Sequence, residues 1–168
     1  MHRKRWGIAV LFGAAVLLLS PGAKSDESDP LPAPKGTPRE RAVSVYNVGV
    51  MLLRDKHYAA AQEQFEQALA LDEALAEAHN NLAFSLRMQG PHYFERALQH
   101  YRRALELKLD LAQAYMYRGV LFTSMGDLAS ARADHAKLLA LDQELAAKLE
   151  RVIAGGHDDG GGVAGPYD

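Results

Sequence analysis

Cysteine is absent from all 168 residues, which removes disulfides, thiolate metal sites and a lipid-modified cysteine at one stroke. No Asn-x-Ser/Thr acceptor occurs either: Asn47, Asn80 and Asn81 are followed two positions later by Gly49, Leu82 and Ala83. Runs of β-branched residues are nearly missing between positions 40 and 154, which leaves no material for a sheet. Catalytic signatures are lacking too: no HExxH pair, no nucleophile elbow and no phosphate loop, and the glycines near the C-terminus follow no strand pattern. The seven histidines form no site by spacing. His79 and His135 fall at packing positions, His57 and His92 in turns, His100 on a helix, and His2 and His157 near the ends. No catalytic residue, metal site or cofactor is expected.

A basic excess is also missing. Residues 1–25 carry four basic side chains (Arg3, Lys4, Arg5, Lys24) and no acid; without them, 15 basic stand against 21 acidic side chains, net −6. Such a chain is a poor match for phosphate backbones, so nucleic acid is not an expected partner.

What is present begins with that N-terminal stretch. A basic start is followed by an apolar run from Gly7 to Ser20 and by small residues at Ala23 and Ser25. This is the layout of a secretory signal peptide over 1–25, cleaved near Ser25, in a run shorter than the roughly 18 to 20 residues of a membrane-spanning helix. The predicted location is periplasmic; the alternative is a single-pass anchor, favoured by Leu17, Leu18 and Leu19, which alone would bring the chain to a membrane. Residues 26–39 are acidic, then proline-rich (Pro30, Pro32, Pro34, Pro38), and read as a disordered linker. Residues 155–168 hold six glycines and read as a disordered tail.

Between these ends, apolar residues recur at three- and four-residue steps among abundant Ala, Leu, Glu, Gln and Arg. The pattern predicts seven helices, at 40–54, 58–71, 76–89, 93–107, 112–125, 128–141 and 144–154, joined by short turns. Six of them repeat one small-residue register. Gly49, Ala83 and Gly119 lie 34 and 36 residues apart in the first helix of each pair, and Ala61, Ala97 and Ala131 lie 36 and 34 apart in the second. Small residues at fixed spacing mark places where helix backbones approach closely.

A helix-pair period near 34 resembles the tetratricopeptide repeat family over residues 40–154. Gly49, Tyr58, Ala61, Phe65 and Ala68 match its motif; so do Ala83, Phe94, Ala97, Tyr101 and Ala104, and then Gly119, Leu128, Ala131, His135 and Leu138. The resemblance implies an all-α fold, a right-handed superhelical solenoid of three helix-turn-helix repeats at about 42–75, 76–111 and 112–145. The helix at 144–154 would cap it, with Leu145, Leu149, Val152 and Ile153 against the last repeat. Departures are visible as well. The aromatic early in the first helix of a repeat is Val45 and His79, retained only at Tyr115; the closing proline is replaced by Glu73, Leu109 and Gln143. The second repeat is two residues longer, with the insertion placed at His92-Tyr93, and Arg118 is expected to pair with Asp134 across the third.

The family usually binds peptides on the concave wall made by the first helices of its repeats, so the resemblance implies a scaffold that holds an extended or helical peptide of a partner protein. The peptide-binding residues it implies are Tyr46, Asn47, Val50, Arg54, Asn80, Asn81, Phe84, Arg87, Met116, Tyr117 and Val120. A carboxylate clamp, as used by chaperone-binding members, is matched only at Asn81: Tyr46, Val50, Met116 and Val120 stand where lysine, asparagine, lysine and arginine are required. The alternative role is a membrane-anchored assembly factor or chaperone for an envelope complex.

Overall fold

A computed structural model of the chain describes residues 36–155. The expected signal segment, most of the linker and nearly all of the tail lie outside the described residues. Within them are seven α-helices and no strand: α1 (Pro38–Arg54), α2 (Tyr58–Leu71), α3 (Ala76–Met88), α4 (Phe94–Leu107), α5 (Ala112–Met125), α6 (Leu128–Leu141) and α7 (Gln143–Ile153). None of them is long and apolar enough to cross a membrane.

The first helix starts two residues before the expected boundary, inside the span assigned to the linker. Thr37 and Glu40 form a capping box: the Thr37 hydroxyl accepts from the Glu40 amide at 3.2 Å, and the Glu40 carboxylate accepts from the Thr37 amide at 2.7 Å. Pro38 occupies the first turn, where its missing N–H costs nothing. Elsewhere helix ends agree with the periodicity to within a residue, because the turns between them carry their own chemistry.

Three turns place a left-handed residue seven positions after the small residue of the preceding helix: Lys56 (φ 60°), Gly90 (φ 115°) and Gly126 (φ 82°). After α1 and after α5 the closing bonds are the same. Lys56 and Gly126 donate to Leu53 and Thr123, and His57 and Asp127 donate to Leu52 and Phe122, at 2.9–3.0 Å. After α3 the residue following Gly90 is Pro91, which has no N–H to give. The chain instead makes a 3-10 turn over Pro91–Tyr93, which absorbs the two inserted residues before α4 begins at Phe94.

Helices pack as successive hairpins, α1 on α2, α3 on α4 and α5 on α6, each resting on the next; α7 packs on α5 and α6. The small residues sit at the contacts. A Cβ on Gly49 would stand 2.6 Å from the Phe65 ring, and one on Gly119 would run into Leu149 of α7. The last helix thus fills the place beside α5 with Ala146, Leu149 and Val152 buried and Leu145 and Ile153 partly so. Ala61, Phe65 and Ala68 of α2 and Ala97, Tyr101 and Ala104 of α4 are fully buried. The rings at 65 and 101 each contribute about 2 kcal/mol of burial. In α6 the equivalent of those rings is His135, only partly buried, beside Arg132, Glu150 and Ile153.

Candidate functional site

The helices α1, α3 and α5 are the first members of the three hairpins, and the eleven residues expected to bind a peptide lie on them. Their exposure departs from that expectation. Tyr46, Val50, Asn80, Asn81, Phe84, Met116, Tyr117 and Val120 are all buried; Asn47 and Arg87 are half-buried, and only Arg54 is exposed. The middle helix is the extreme case, with every residue from Ala78 to Leu86 buried. Eight of the expected binding residues are therefore core residues in this conformation. Periodicity places a residue on a helix face but does not say whether that face is covered.

Contacts among these residues join the three helices. Phe84 of α3 meets Tyr117 of α5 edge to face, with centroids 4.8 Å apart, and Tyr58 at the start of α2 at 6.4 Å. The Arg87 guanidinium lies 5.1 Å from the Phe84 ring and 5.7 Å from that of Tyr117, a cation–π arrangement over both. Tyr46 of α1 packs on Phe65 at 5.6 Å. Its hydroxyl accepts from Asn81 Nδ2 at 3.0 Å, and Asn81 Oδ1 accepts from Asn80 Nδ2, also at 3.0 Å. The amide chain ends on Asn80 Oδ1, a fully buried acceptor with no hydrogen-bond partner among the described residues. Native interiors leave few such atoms unpaired.

The arrangement of hairpins is similar to that of several solved structures. The Arabidopsis OM64 tetratricopeptide domain matches with a TM-score of 0.64 at 21% identity, over 69% of this chain and 96% of that one. The second such domain of human RPAP3, in complex with the HSP70 peptide SGPTIEEVD, matches at 0.63 and 24% identity, over 70% and 98%. The fold is a tetratricopeptide fold. The Yersinia enterocolitica type III secretion chaperone SycD, in complex with a peptide of the translocator YopD, is similar at 0.62 and 13% identity, over 69% and 92%. No family model and no curated protein sequence matches the chain.

Within the tetratricopeptide register, the polar contacts between paired helices become comparable. Gln64, His100 and Asp134 each stand three residues after the alanines at 61, 97 and 131. In the third hairpin the expected pair forms: Arg118 Nε and Nη2 donate to the two carboxylate oxygens of Asp134 at 3.0 and 2.6 Å. Burial pushes the Asp134 carboxyl up, and the bonds from Arg118 pull it partly back. Arg118 also stacks on Tyr115 and Phe122, at 5.6 and 5.8 Å.

The second hairpin uses the same slot differently, and the sequence reading missed it. His79, which stands where the third has Tyr115, turns its Nδ1 to His100 Nδ1 at 3.0 Å, with the rings stacked at 5.2 Å. Placing the hairpins in register would have revealed the pairing, since His100 coincides with Asp134; spacing within one helix does not. Among the described residues no group of three or more His, Asp or Glu could hold a metal ion.

Proposed function

We propose that this chain is a protein-interaction scaffold that holds an extended or helical peptide of a partner on the wall formed by α1, α3 and α5. The observation that carries the reading is the amide and phenol chain Asn80–Asn81–Tyr46, with its unpaired acceptor on Asn80, on the helix that also carries Phe84 and Arg87. Packing alone is served by apolar side chains; a buried acceptor without a donor is suited to a backbone N–H brought by another chain. The human RPAP3 domain and SycD, each in complex with a peptide, support the same use of the fold here.

A terminal carboxylate is not the main anchor in this reading. Tyr46, Val50, Met116 and Val120 supply no cation, and all four are buried. Exposed Arg54 and half-buried Asn47 make the first contact, with half-buried Arg87 over the rings of Phe84 and Tyr117. The signal-like segment at 1–25 supports a periplasmic setting, and its apolar Leu17–Leu19 core supports the second reading, an anchored assembly factor. Carbonate washing of membranes separates the two: a cleaved protein is released and an anchored one is retained.

Phe84 and Tyr117 are too deeply packed to test binding by truncation. Asn47→Ala with Arg54→Glu changes one half-buried and one exposed residue and leaves the fully buried ones in place. The double variant is expected to keep the helical circular dichroism of the natural chain and to capture at least about tenfold less of the partner from envelope extract. Unchanged capture at unchanged helicity contradicts the reading.

A further inference from the structure

The histidine pair between α3 and α4, His79 buried and His100 partly so, has a hydrogen-bond order that the geometry decides. His79 Nε2 lies 3.1 Å from the carbonyl oxygen of Glu73, which can only accept, so that nitrogen carries a hydrogen. The next hairpin shows the same bond in different chemistry, for the Tyr115 hydroxyl donates at 3.1 Å to the carbonyl of Leu109, six residues before it. A neutral His79 therefore presents a bare Nδ1, and the hydrogen in the 3.0 Å contact belongs to His100 Nδ1. The two rings are fixed in opposite tautomers, Nε2–H on His79 and Nδ1–H on His100.

We infer that His79 and His100 form an acid-sensitive latch, which ties α3 to α4 and to the turn at Glu73 while the rings are neutral and releases them as protons bind. One proton, on His100 Nε2, leaves the bond between the rings intact. A second, on His79 Nδ1, removes the acceptor and places two cations 3.0 Å apart. The surroundings do not offset such charge. Glu66 of α2 is already held by Arg96 and Gln62; at His79, Arg103 of α4 opposes a cation and Glu73 and Glu106 favour one, but burial outweighs them. Burial, then the neighbouring His79, pushes His100 down to about 4, and burial lowers His79 as well.

The sign follows from proton uptake. An unfolded histidine titrates near about 6.5, whereas folded His100 stays neutral to about 4, so the unfolded chain binds more protons between those values. Stability is fully present above pH ~6.5 and is lost as the pH falls from there towards 4. The latched helix carries Asn80, Asn81, Phe84 and Arg87, so acid loosens the middle of the wall. The inference rests on the fold alone and stands or falls separately from peptide binding.

Two measurements on the full chain test it. Long-range proton–nitrogen correlation at pH 7 is expected to show His100 as the Nδ1–H tautomer, the minor form of free histidine, and His79 as Nε2–H. Urea unfolding is expected to show the folding equilibrium constant of the natural chain dropping about tenfold more between pH 7 and 5 than that of His100→Asn. The asparagine amide still donates to His79 but does not titrate. His100 in the Nε2–H form, or titrating near 6.5, overturns the inference, as does an equal pH slope in the two proteins. If His100→Asn does not fold, the tautomers and titration of the natural chain decide.

Discussion

Arg118 and Asp134 show what one side chain costs when its partner is removed. The carboxylate is 3% exposed and takes two N–H bonds from the guanidinium. Arg118→Leu, which copies Leu82 at the same register of the second hairpin, leaves a buried charge alone and is expected to cost about 3 kcal/mol in urea unfolding. Adding Asp134→Asn is expected to restore much of that loss. If the single variant loses under about 0.5 kcal/mol, the pair is no more than a surface bridge. This contact was legible in the sequence because Arg118 is the odd residue beside Val48 and Leu82, and an acid stands at the matching place of the next helix. The histidine pair was not legible: its members are 21 residues apart and resemble no motif until the hairpins are superposed.

Helix ends follow local chemistry, which is why the elements were read from sequence almost to the residue. At Pro38 and Arg39 the proline-rich composition reads as linker, whereas the Thr37-x-x-Glu40 cap starts the helix there. The turn after α1 carries a testable strain. Lys56 holds φ 60° at the register where Gly90 and Gly126 stand in the later turns, and its side chain is exposed. A side chain in that region costs about 1 kcal/mol relative to glycine. Lys56→Gly is therefore expected to raise stability by about 0.5–1 kcal/mol, read as a higher urea midpoint at unchanged slope. A lower midpoint means that the lysine makes a contact worth more than the strain.

At the scale of the whole molecule, the small residues at 49, 83 and 119 and the alanines at 61, 97 and 131 defined the hairpins, because a period built from close contacts survives wide divergence at other positions. The wall was less legible. Helical phase brought Tyr46, Asn81, Phe84 and Tyr117 to neighbouring positions, but whether such a face stays open depends on side-chain volumes across three helices, which phase does not encode. The fold leaves half-buried Asn47 and exposed Arg54 on the expected wall and, away from it, exposed Lys137 on α6. A photoreactive residue placed in the full chain at 47 or at 137, in living cells, tests the central claim most directly. The account predicts that position 47 yields a discrete adduct mapping to one short segment of one partner protein, which position 137 does not give. The same adducts from both positions, or a specific partner adduct from 137 with none from 47, would contradict it.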